Sequence, residues 1–225
     1  MIKPGTDKDF NYFTENKKVR WSYANSILYG MCRTRPRHDL KDVAASKLFL
    51  ISRGFFDADG YAKSVPENEE LFYDVIAPIM QREASKIDHY ISLLNEDCRT
   101  IPESRAYILE AHRYIMGIFS DIKNIDCRML SARYLHFHCP GMVYLYSKAA
   151  HERVNEIVTD ENEKELPLIC DEIYAIYFEK LLELQTYLYA ETGIYRSPLE
   201  LDRFLTGKNA SQKGLPPFDR LPAGC

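Results

Sequence analysis

No apolar run in this chain of 225 residues approaches the roughly 18 that a transmembrane helix requires, so the sequence predicts no membrane span. Its opening stretch, Met1 to Asp9, offers neither an apolar core nor a small-residue cleavage site, and a cytoplasmic address is expected. Among the six cysteines, Cys32, Cys98, Cys127, Cys139, Cys170 and Cys225, no Cys-x-x-Cys pair occurs. That argues against a disulfide framework and a cysteine zinc site, and leaves reduced, mostly buried thiols as the expectation. Gly-x-Gly-x-x-Gly and Walker-type Gly-Lys-Ser/Thr sequences are lacking, so cofactors held by those loops have no support, and no cofactor is expected. No segment sustains the strict apolar/polar alternation of a half-buried strand.

What the chain does have is helical periodicity. It is 46% hydrophobic and 12% aromatic, enough to bury a core, and the spacing predicts an all-α protein: a single multi-helix domain over 1–207 followed by a flexible tail over 208–225. The tail holds three prolines and two glycines with little periodic apolar content. Helices are expected over Trp21 to Arg33 and Asp39 to Arg53. Ser64-Val-Pro-Glu67 has the form of a capping box opening one long helix to Asn95, bent at Pro78. Thr100-Ile-Pro-Glu103 repeats the pattern before Ile108, Ala111, Ile115 and Ile118. A further helix is expected over Glu165 to Glu191, with Ile169, Ile173, Ile176, Leu181, Leu184 and Leu188 facing inward and Gly193 ending it. A short one follows over Ser197 to Leu205. Tyr107, Tyr114, Tyr174 and Tyr177 flank these stripes and are expected to pack between helices.

The net charge of −4 conceals an uneven distribution. Between Lys17 and Arg53, nine cationic residues, among them Arg33, Arg35, Arg37, Lys41 and Lys47, face only Asp39 and Asp42. Asp160 to Glu183 carries eight carboxylates against two lysines. Two readings stay open: solvated helix faces whose charges cancel across the fold, or a surface that binds a polyanion on its basic side.

Ile122-Lys-Asn-Ile-Asp-Cys-Arg-Met-Leu-Ser-Ala132 pauses at Asn124-Ile-Asp126 between two helical stretches, giving helix, short hairpin, helix. These residues resemble the helix-hairpin-helix core of the DNA base-excision glycosylase superfamily, with Asn124 and Asp126 in place of the hairpin glycines and one of them expected at positive φ. The resemblance implies a catalytic lysine at Arg128 and a catalytic aspartate at Ser147. A guanidinium is not a free amine and serine carries no charge, so base excision is expected to be lost and no catalytic residue is assigned. A wider stretch, Trp21 to Gly207, resembles a group of uncharacterised bacterial helical proteins. The residues that carry it are Ser46-Lys-Leu-Phe-Leu-Ile-Ser-Arg53, Ser131-Ala-Arg-Tyr-Leu-His-Phe-His-Cys-Pro140 with Leu145-Tyr-Ser-Lys148, and Leu199-Glu-Leu-Asp-Arg-Phe-Leu205. The chain departs from that group at Arg133 and Ser147. The match implies a shared fold and no particular activity.

Other constellations favour structural readings. Arg105 and His112 have the Arg-x6-His spacing of helical HEPN nucleases, but His112 shares the apolar stripe with Ile108 and Ile115 and reads as a core histidine. His136 and His138 project about 200° apart on a helix and cannot share a metal, so His136 is expected to bond a backbone carbonyl or a facing carboxylate. The acidic run from Asp160 lacks calcium-loop order and suits a helix N-terminus, and no metal is expected. The function expected from sequence is therefore non-catalytic nucleic-acid binding. Lys123, Asn124, Asp126 and Arg128 would lie at the hairpin, with Arg35, Arg37 and Lys41 as outer phosphate contacts. The alternative is a homo-oligomeric assembly protein whose tyrosine-rich helices bury a dimer surface.

Overall fold

The computed structural model describes residues 23–53, 69–96, 99–123, 126–159 and 170–206, and the regular elements among them are helices, as expected. Helix α1 spans Tyr23–Thr34 and α2 spans Lys41–Arg53. The expected long bent helix is present in pieces: α3 (Glu69–Leu71), a π-turn π1 (Phe72–Ile76), α4 (Ala77–Arg82) and α5 (Ala84–Leu94). Pro78 has no N–H to donate and its ring crowds the carbonyl four residues earlier, so the chain widens just upstream, with the Ala77 N–H donating to the Phe72 carbonyl. A second break falls at Glu83, whose φ and ψ of −89° and 8° leave the helical well. The expected Ser64 capping box, Ile169 and the tail beyond 207 lie outside the described residues.

Helix α6 (Ile101–Ile118) opens on the expected capping box, with Thr100 and Glu103 bonding each other's backbone N–H groups. Helix α7 spans Cys127–His138, α8 spans Lys148–Ile157, α9 spans Glu172–Thr192 and α10 spans Pro198–Thr206. Gly193 ends α9 at φ +65°, the left-handed conformation that only glycine adopts without strain. The break between α6 and α7 lies where the hairpin was expected. Asp126, however, sits at φ −70°, not at positive φ, because it serves as the N-cap of α7: its carboxylate accepts from the backbone N–H groups of Arg128 and Met129. Asn124 lies outside the described residues.

Helix α7 is the axis of the molecule. Every residue from Met129 to His138 is buried, and α1, α2 and α6 pack around it. A helix buried on all sides must satisfy its polar side chains internally. Ser131 Oγ donates to the Cys127 carbonyl at 2.6 Å. The Tyr134 hydroxyl meets His38 Nε2 at 2.6 Å. His136 Nδ1 donates to the Val143 carbonyl at 2.7 Å, the backbone bond expected of it.

That last bond reaches an unusual piece of chain. After Pro140 the backbone runs through Val143, Tyr144, Leu145 and Tyr146 without regular structure, yet all four residues are buried. Buried carbonyls without a helix or sheet of their own need donors from side chains. Val143 takes His136; the Tyr144 and Leu145 carbonyls accept from the hydroxyls of Tyr174 and Tyr177, each at 2.8 Å. The Tyr144 hydroxyl in turn donates to Gln185 Oε1 at 2.7 Å. These bonds fix the rotation of α9: Tyr174, Tyr177, Phe178, Leu181, Leu184 and Leu188 face inward. Ile173 and Ile176, expected inside, are 44% and 37% exposed.

Replacing Tyr177 by Phe keeps the ring and removes the donor, leaving the Leu145 carbonyl buried and unpaired. The expected cost is roughly 1–3 kcal/mol, a loss of several degrees in Tm measurable by differential scanning calorimetry.

Candidate functional site

Helix α1 stops two residues before Pro36; its last turn carries Arg33 and the connection to α2 carries Arg35 and Arg37, so that three exposed arginines stand at alternate positions. None of the three forms an ion pair among the described residues. The backbone beneath them is held at four successive groups. Lys47 Nζ, on fully buried Lys47, donates to the Pro36 and Arg37 carbonyls, both at 3.2 Å. The His38 N–H donates to Asp88 Oδ2 at 3.4 Å, and Gln81 Nε2 donates to the Asp39 carbonyl at 2.8 Å. The side-chain cations are thus mounted on a loop with little backbone freedom left to lose.

Under the loop lies a chain of hydrogen bonds. Burial holds the His38 imidazole below its ordinary range, against the opposing pull of Asp88, so the ring is neutral near pH 7. Its Nδ1–H then donates to Asp88 Oδ1 at 2.6 Å, and Nε2 accepts from the Tyr134 hydroxyl at 2.6 Å. His138 stands alongside, 5.2 Å from His38 between ring centroids. Both of its nitrogens are buried without a hydrogen-bond partner among the described residues, and burial, with Lys47 and His38 adding, keeps it neutral. Burial also brings Lys47 down to about 8 and pushes the neighbouring Cys32 thiol up to about 12. At neutral pH the group is therefore one buried ammonium among neutral rings and a thiol, with the Asp88 carboxylate bonded to His38 at its edge.

His138 also lies on the wall of a cavity of about 870 Å³ enclosed by α1, α5, α6, α7 and α9, whose mouth adjoins Arg33 and Pro36. Ile91, Leu94, Phe137 and Leu182 line its interior, and Arg99 stands at its edge. His38 and Tyr134 do not reach it. No group of three or more His, Cys, Asp or Glu residues among the described residues could hold a metal ion.

The residues expected at the site from sequence are not brought together. Arg35 and Arg37 share the clamped loop. Lys41, in the first turn of α2, points elsewhere, over the Tyr73 ring at 3.7 Å and 3.7 Å from Asp74. Lys123, Asp126 and Arg128 belong to the opposite end of α7, where ten residues separate Arg128 from His138, about 15 Å along the axis at 1.5 Å per residue. There the backbone N–H groups of Arg128 and Met129 are already taken by Asp126, and the Arg128 guanidinium is forked onto the Asp171 carboxylate. Ser147 caps α8, accepting from the Ala150 N–H at 3.2 Å. His112 is fully buried, its ring stacked on Tyr174 at 3.7 Å with Nε2 donating to the Arg128 carbonyl, while Arg105 pairs with Glu179. The core reading of His112 therefore stands. Sequence reasoning counted Lys47 as surface charge and passed over His38, Asp88 and the cavity; only Lys47 in the apolar company of Ala44, Leu48 and Ile51 signalled burial.

Lys47 sets a measurable pH dependence. Between its folded value near 8 and its ordinary value of 10.5, the unfolded chain binds a proton that the folded chain does not, so this group makes stability rise with pH across that window. The stability difference between the wild type and Lys47→Met, followed by urea unfolding from pH 8 to 10, is expected to grow by roughly 2–3 kcal/mol. A flat difference would mean that Lys47 titrates normally.

No protein-family model matches the chain, and neither a curated protein nor a solved structure matches it.

Proposed function

We propose that the chain is a non-catalytic nucleic-acid-binding protein and that its phosphate contacts come from the α1–α2 loop. The observation that carries this reading is the exposed triplet Arg33, Arg35 and Arg37: guanidinium groups without ion pairs among the described residues, at the end of α1 and on a connection whose backbone Lys47, Asp88 and Gln81 hold from Pro36 to Asp39. Guanidinium forks match phosphate oxygens, and holding them on a rigid loop removes part of the ordering cost of binding. The buried Lys47 ammonium, whose value near 8 leaves it protonated at neutral pH, adds a positive charge directly beneath them. The end of α7 near Arg128 contributes less, since its amides and its guanidinium have partners within the fold. A glycosylase-like scaffold without the excision chemistry belongs to this reading. Arg128 and Ser147, where the lysine and aspartate would stand, are engaged in an ion pair and a helix cap.

Binding to a short duplex and to a single strand, measured by fluorescence anisotropy from about 20 to 200 mM salt, is expected to weaken linearly in log Kd against log salt. Replacing Arg35 and Arg37 by Ala should reduce the magnitude of that slope by about 2 and leave Tm unchanged. Binding whose slope ignores both arginines would remove the loop from the interface. No binding at low salt, with a dimer in sedimentation, would favour the assembly reading, for which the exposed faces of Ile173 and Ile176 on α9 are the starting point.

A further inference from the structure

We propose that the cavity enclosed by α1, α5, α6, α7 and α9 is a binding site for a small planar aromatic anion. The proposal does not rest on the nucleic-acid reading; it follows from the shape and chemistry of the cavity wall. A volume of about 870 Å³ falls in the range of small-molecule sites, and five helices enclose it, so the seat is largely formed before any ligand arrives. Its inner wall is apolar, and the Tyr29 and Phe137 rings meet there at 4.6 Å between centroids. Tyr189 and Tyr195, 55% and 54% exposed, stand at the opening, where exposed aromatic rings can close over a flat ligand.

The charge at the mouth selects the sign. Arg33 extends there without an ion pair among the described residues, so its guanidinium retains its full donor capacity. Arg99 is held in place on two sides: its Nε donates to Glu96 Oε2 at 2.7 Å, and its guanidinium lies 5.4 Å from the centre of the Tyr107 ring. Those contacts orient Arg99 at the cavity lining. Among the described lining residues, two guanidinium groups against the one Glu96 carboxylate favour an anionic head, phosphate, sulfonate or carboxylate, and disfavour a cation.

The ligand class is thus an aromatic body with one anionic group at the mouth. An aliphatic acid would engage the arginines alone, and a neutral hydrocarbon would engage only the apolar wall.

A matched pair of fluorescent probes tests the proposal on the full chain: 8-anilino-1-naphthalenesulfonate, and N-phenyl-1-naphthylamine, the same ring system without its sulfonate. The sulfonate is expected to bind one per chain and at least tenfold tighter than the neutral amine. Arg33→Gln, a change at an exposed position, should bring the two affinities within about twofold by weakening only the sulfonate. Thr186→Trp, also at an exposed position but on the cavity lining, should weaken both probes at least tenfold. Arg99→Gln provides a second charge variant, and far-UV circular dichroism confirms that each variant is folded. Absence of sulfonate binding, equal affinities for the two probes in the wild type, several weak sites per chain, or unchanged binding in folded Thr186→Trp would each overturn the proposal.

Discussion

A stretch of main chain with no helix or sheet to pair with lies in the core of this protein, and its carbonyl groups have to be satisfied where water cannot reach them. Val143, Tyr144 and Leu145 obtain their donors from His136, Tyr174 and Tyr177. Each bond contributes on the order of 1 kcal/mol when made, and breaking one strands a buried acceptor at a cost of roughly 1–3 kcal/mol, so the three act as positional constraints. His136 fixes the register of α7 against the segment, the two tyrosines fix the rotation of α9, and Tyr144 returns a bond to Gln185 on α9. Once α7 and α9 are placed, so are Phe137, His138 and Leu182, and with them the walls of the cavity.

The same constraint explains which features of the fold were legible in the sequence. Helix ends signalled by local chemistry were readable, because a capping box at Thr100 and a left-handed glycine at Gly193 act over three or four residues. The inward face of α9 was not. By hydrophobicity alone Ile173 and Ile176 outrank Tyr174 and Tyr177, and both pairs fit a helical stripe with the downstream leucines. What decides between them is a demand for hydroxyl donors from a segment thirty residues away, which no local pattern carries. Arg128 was misplaced for a similar reason: its partner Asp171 comes from 43 positions downstream, so the sequence displays a free cation where the fold has an ion pair.

Charge is organised on the same principle of internal satisfaction and surface surplus. Within the described part of the basic stretch, the cations from Arg33 to Lys47 do not form one uniform face. Lys47 turns into the core to hold two carbonyls, Lys41 leans on Tyr73 and Asp74, and only the loop between α1 and α2 offers guanidinium groups outward without ion pairs among the described residues. A buried ammonium is costly unless its protons find acceptors, and here the acceptors are the carbonyls of the arginine loop itself. The cation that is hidden therefore positions the cations that are displayed, and the shape of the loop follows from the burial of Lys47.

The account stands or falls on the buried bond between α7 and the irregular segment. Burial, partly offset by the Val143 carbonyl, holds His136 down at about 4, so its ring must stay neutral throughout the folded state's ordinary pH range. A histidine-selective NMR titration of the folded protein reads this directly. The account predicts that the His136 ring signals stay fixed from pH 7.5 to 5 and move only near pH 4 or with acid unfolding. A His136 ring that titrates near 6.5 while the protein remains folded would contradict it, because that ring would be solvated and could not be holding the core segment.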